Sequence, residues 1–153
     1  MFKFRLDGVL NYRRQIEDDL ERGLADINRL LKVEKERLIS YKDERGRYQR
    51  EFYHKQVDGI SIDEMRLYLD FLNGLDKTIQ EQEKIVSLLF KRADLKREEV
   101  ITAMKNRKIL ETIRTRRWDE YQQKEKRAEQ ALLDEIAGRG NPNGSLIDSY
   151  RNI

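Results

Sequence analysis

Cysteine is absent from this 153-residue chain, and histidine, tryptophan and proline each occur once. No disulfide, thiol chemistry or Cys/His metal site is available to it. Long apolar runs are missing too. The longest stretch, Ile85 to Phe90, is interrupted by Ser87 and far too short to span a bilayer. The opening Met1-Phe2-Lys3-Phe4-Arg5-Leu6-Asp7 mixes charge with apolar residues and has no signal core. These absences predict a cytoplasmic protein that is soluble or at most peripheral to a membrane. Charge of one sign is also lacking, because 32 basic residues nearly balance 29 acidic ones for a net +3. No global field draws the chain onto nucleic acid, and an electrostatic partner must read a local patch.

What remains is 40% charged and 38% apolar, too polar for a large globular core. The apolar residues fall into heptads. Leu10, Glu17, Leu24, Leu31, Leu38, Arg45 and Phe52 recur every seven, with Leu6, Arg13, Leu20, Ile27, Glu34, Tyr41 and Tyr48 at the companion position. The pattern resumes with Met65, Leu72, Ile79, Val86, Ala93, Val100, Arg107, Arg114, Tyr121 and Ala128, accompanied by Leu75, Gln82, Leu89, Lys96, Ala103 and Leu110. Between the two ladders lies one break, Gln56-Val57-Asp58-Gly59-Ile60, followed by the capping box Ser61-Ile62-Asp63-Glu64.

The spacing therefore predicts an all-α fold, a long antiparallel two-helix coiled-coil hairpin over residues 1–137. Helix 1 is expected at about 4–56, the turn at 57–60 and helix 2 at 61–137, with a flexible tail over 138–153. Folding about residue 59 sets residue i opposite roughly residue 118 minus i. Leu38 then faces Ile79, and Leu31 faces Val86. Helix 1 runs out near residue 117, so the longer second helix projects by roughly 20 residues, ~30 Å. Trp118, Tyr121, Ala128, Leu132 and Ile136 keep helical spacing along that projection and would be wasted on water.

Catalytic signatures are missing: no glycine-rich phosphate loop, no His-Glu-x-x-His pair and no nucleophile elbow. Acidic pairs such as Asp18 with Glu21 read as a solvated helix face, and His54 as an ordinary surface side chain. The sequence gives no reason to expect an enzyme, a catalytic residue, a cofactor or a metal. Two patches stand out. Between Lys105 and Arg127, nine basic residues oppose four acidic ones around Trp118 and Tyr121. This is either a solvated basic face or a binding surface; interleaved acids and the lack of an uninterrupted basic run argue against nucleic acid. Near the break, Leu67, Leu69 and Phe71 fall off the seam and are expected to be exposed.

Several phrases resemble one family. Phe2-Lys3-Phe4-Arg5-Leu6-Asp7-Gly8-Val9-Leu10, Arg13-Arg14-Gln15-Ile16-Glu17-Asp18, Tyr68-Leu69-Asp70-Phe71-Leu72 and Glu129-Gln130-Ala131-Leu132-Leu133-Asp134-Glu135-Ile136-Ala137 are similar to FliJ, the flagellar export protein. The resemblance implies a soluble component of the bacterial flagellar type III export apparatus, peripheral at the cytoplasmic face of the inner membrane. Such a protein is stalk-like, inserts into the ring of the export ATPase FliI, promotes its assembly, links it to the gate protein FlhA and handles export chaperones. The gate-docking motif aligns with Tyr68, Phe71, Leu75, Thr78 and Gln82. Arg13, Arg14, Arg114, Arg116, Arg117, Trp118 and Tyr121 are the candidates for ring contact. The stalk of an injectisome or of a V/A-type rotary ATPase shares this pattern, as does a generic coiled-coil scaffold.

Overall fold

A computed structural model describes residues 1–140. It contains two helices among these residues, α1 over Asp7–Asp58 and α2 over Ile62–Arg139, packed against each other as a helical hairpin whose second helix is the longer. The chain separates into two compact units. One comprises residues 13–105, and the other, among the described residues, comprises 1–12 and 106–140.

In the unit of residues 13–105 the heptad positions are the protected ones. Leu31, Leu72, Leu75, Ile79, Leu89, Ala93 and Ala103 are buried, as are two polar seam residues, Glu17 and Gln82. The remaining α1 seam positions here, including Arg13, Leu20, Leu38 and Tyr48, are half-buried. α1 stops at Gly59, whose φ of 99° lies in the left-handed region that a side chain would strain. α2 starts one residue after Ser61, whose Oγ accepts from the Glu64 amide at 3.2 Å and whose carbonyl accepts from Met65 at 3.0 Å. The turn is therefore Gly59-Ile60-Ser61. It sits later than the expected 57–60, because Gln56, Val57 and Asp58 remain helical up to the glycine stop.

That shift resets the pairing. Tyr48 meets Phe71, Phe52 meets Tyr68 and Arg45 meets Asp76, so residue i faces roughly residue 120 minus i.

The other unit is built on the N-terminal residues and the later part of α2. Helix α1 opens at Asp7, whose amide donates to the Phe4 carbonyl at 3.1 Å. Its carboxylate favours the positive helix start and pairs with Arg114 at 3.2 Å. Leu10 is only 1% exposed, and Phe4 is buried as well. Residues 1–6 are not helical, although helix 1 was expected from about residue 4. The leading residues nevertheless lie against α2, where Phe2 meets Trp118, its level in the same pairing, and Tyr121 one turn beyond. Beyond Tyr121 and Gln122, which are half-buried, every described residue from 123 to 140 is exposed.

The expected stop at Ala137 falls at Arg139 instead. Most of the expected tail, residues 141–153, lies outside the described residues.

Candidate docking surfaces

Within residues 13–105, an aromatic ladder is assembled beside the turn by the pairing of the helices. Phe52 stacks on Tyr68 with ring centroids 5.4 Å apart, and Tyr48 meets Phe71 edge-on at 4.6 Å. The Tyr68 hydroxyl donates to Glu51 at 3.0 Å. The Lys55 ammonium lies 5.3 Å from the Tyr68 ring centre, and its contact with Tyr68 raises its pKa above the usual lysine value. Next along the seam, Arg45 is held by Asp76, whose hydrogen bond and charge raise the guanidinium pKa.

The five residues aligned with a gate-docking motif divide into two groups here. Phe71 is 42% exposed, and Thr78 and Tyr68 are half-buried. Leu75 and Gln82 are buried in the seam. Gln82 donates its side-chain amide to the main-chain carbonyl of Glu34 at 3.0 Å and to the Glu34 carboxylate, so its polar groups are committed inside the hairpin. Thr78 turns its hydroxyl back to the Gly74 carbonyl at 3.1 Å. Leu67 and Leu69, at 69% and 46% exposure, flank Phe71 in sequence and extend the accessible apolar surface, as their off-seam spacing anticipated. Arg13 is half-buried and Arg14 exposed.

The unit of residues 1–12 and 106–140 carries a second surface. Phe2 packs against Trp118 at 5.1 Å and Tyr121 at 5.6 Å, and a groove of about 700 Å³ runs between residues 1–6 and α2 side chains from Ile113 to Lys124. Trp118 remains 43% exposed. Its basic neighbours are on the surface: Arg114 pairs with Asp7, Arg117 with Glu120 at 3.4 Å, and Arg116 is exposed. Tyr121 donates its hydroxyl to Glu125, and that bond, with lesser help from burial and the carboxylate charge, raises the phenol pKa. Farther along α2, Leu132, Leu133 and Ile136 are 57–59% exposed. Of these, Leu133 is an addition that seam counting does not select.

Among the described residues there is no cluster of metal-ligating side chains, and no helix is long and apolar enough to cross a membrane. The geometry suits the binding of protein surfaces, through exposed aromatic and aliphatic groups set among arginines.

No protein with a curated description matches the chain. A solved structure of a putative YscO homolog from Chlamydia trachomatis is similar to it, with 19% identity, a TM-score of 0.47, and coverage of 99% of this chain and 100% of that one. Residues 2–141 match the family model described as flagellar FliJ protein, and with nearly its whole length accounted for the chain belongs to the FliJ family.

Proposed function

We propose that this protein is a non-enzymatic part of the flagellar type III export apparatus that enters the ring of the FliI-like export ATPase, promotes its assembly and activity, and connects it to the FlhA-like gate and to export chaperones. It works at the cytoplasmic face of the inner membrane, held there through its partners. The observation that carries the ring assignment is the uncovered end of α2, where Leu132, Leu133 and Ile136 face solvent. An exposed apolar stripe on a charged helix is the feature expected of a surface completed by a partner. Arg114, Arg116, Arg117, Trp118 and Tyr121 belong to the same unit and supply cationic and aromatic contacts. Arg13 and Arg14 are further candidates. Gate docking falls to the accessible members of the aligned motif, Phe71 with Tyr68 and Thr78, while Leu75 and Gln82 support them from within the seam.

The test is ATP hydrolysis by the flagellar ATPase of the same organism with and without this protein, alongside ring counting by electron microscopy. Faster turnover with more complete rings is expected. Unchanged turnover and unchanged rings, with both proteins folded, would overturn the assignment.

A further inference from the structure

The two flanks of the seam differ within residues 13–105. Counting Leu31 and Val86 as first heptad positions, Lys35, Lys42, Glu83 and Phe90 all occupy the fifth. These residues close one flank, Lys42 pairing with Glu83 at 3.3 Å and the Lys35 ammonium lying 5.7 Å from the Phe90 ring centre. On the opposite flank, at the seventh and third heptad positions, Leu30, Val33, Ile85 and Leu88 are 48%, 49%, 45% and 52% exposed.

These four belong to a pattern that occurs twice. On α1 it runs Asp26, Leu30, Val33, Arg37; on α2 it runs Glu81, Ile85, Leu88, Arg92. Both read acid, apolar, apolar, arginine at spacings of four, three and four, which keeps each set on one helix face. Because the helices are antiparallel and residue i faces roughly residue 120 minus i, Asp26 shares its level with Arg92, and Arg37 shares its level with Glu81. The result is an apolar centre with charges of alternating sign at its four corners, all four exposed.

Such a checkerboard is complementary to itself. When two copies meet face to face about a two-fold axis along the helices, each acid meets an arginine of the other copy, because α1 then faces α2. When the axis runs across the helices, Asp26 meets Arg37 and Glu81 meets Arg92. In both cases apolar side chains cover apolar side chains. We propose that this flank is a self-association surface whose occupant is a second copy of this chain, joined through an isologous contact. Asp26 and Arg37 each have a neighbour within their own helix, Arg29 and Glu34; the exposed Asp26–Arg29 pair exchanges partners at little cost, and the Arg37 side chain, 53% exposed, keeps donors free of the inward-set Glu34 carboxylate. Four half-exposed aliphatic side chains per copy place the contact below ~1,200 Å² in total, the range of weak and reversible association.

Sedimentation equilibrium of the full chain from about 10 µM to about 1 mM, a range that reads weak association, tests the proposal. The wild-type mass is expected to climb from monomer toward dimer. The pair R37E and R92E makes all four corners acidic and abolishes the climb; D26R with E81R makes all four basic and does the same. An equimolar mixture of the two variants restores dimerisation, because each then meets its opposite. Circular dichroism at 222 nm verifies folding of each variant, and if either charge variant unfolds, L30Q with L88Q serves instead and also stays monomeric. A wild type that remains monomeric throughout, variants that associate as the wild type does, or a mixture of folded charge variants that stays monomeric would each overturn the proposal.

Discussion

Gln82 of α2 donates its side-chain amide to the main-chain carbonyl of Glu34 on α1 from a position only 5% exposed. It is the polar step between Leu75 and Leu89 on the companion row of the seam. A lone amide of this kind specifies which residues pair, at a cost in stability, because sliding the helices would leave it buried without a partner. Gln82→Leu is expected to raise the melting temperature by several degrees, equivalent to about 1 kcal/mol. It should also loosen the pairing. Spin labels placed on the two helices would show a broader distance distribution than in the wild type. A lower melting temperature with one sharp distance would contradict this account.

Gly59→Ala addresses the turn. With φ at 99°, any side chain pays for the left-handed conformation, about 1–2 kcal/mol. Space is not the obstacle, since no atom stands within 4 Å of an added Cβ. Urea denaturation should show a lower midpoint at unchanged slope. Gly23 is the contrasting case, because there an added Cβ would meet the flexible Lys96 side chain at 2.8 Å. Helix propensity gains ~1 kcal/mol from alanine at that point, so Gly23→Ala is expected to be close to neutral once Lys96 swings aside.

For the gate, Phe71→Ala removes an exposed ring that rests edge-on against Tyr48. Binding to an FlhA-like gate domain, measured by calorimetry, should weaken by about tenfold or more, the loss of a single aromatic anchor. Helical content should be retained, because the ring is 42% exposed and lies outside the seam. Equal affinity for variant and wild type would remove Phe71 from the docking surface.

Alkaline titration addresses Tyr121. Its raised pKa means that the protonated phenol, donating to Glu125, is favoured in the folded chain. The stabilisation is present in full below the ordinary phenol value of ~10 and is lost as pH rises through the raised one. Ultraviolet absorbance of the phenolate should therefore show a late-titrating component, and Glu125→Ala should move that component to lower pH.

The fold was legible because heptads are a local signal: the seam of residues 13–105 lies where counting by sevens put it. Register was not legible to better than two residues. Gln56, Val57 and Asp58 look like the beginning of a loop, yet only the glycine after them stops the helix, and moving the turn by one residue moves every pairing by two. The N-terminal boundary was missed for a different reason: nothing in Phe4, Arg5 and Leu6 opposes a helix, yet α1 opens only at Asp7, whose amide bonds back to the Phe4 carbonyl. The docking motif was harder still, since surface stripe and seam share the same three-and-four spacing. Leu75 and Gln82 satisfy both, and only packing assigns them inward.

The bare stretch of α2 from residue 123 onward is about as long as the shortest isolated helices that hold together in water, and it has none of the tertiary cover that usually sustains them. Its nucleation is supplied by the covered turns before it, so each added residue needs only propagation. Amide hydrogens should accordingly exchange in a gradient, slowest near Tyr121 and fastest toward Arg139. A partner that covers Leu132, Leu133 and Ile136 meets a helix already wound, and much of the ordering cost of binding is removed before contact.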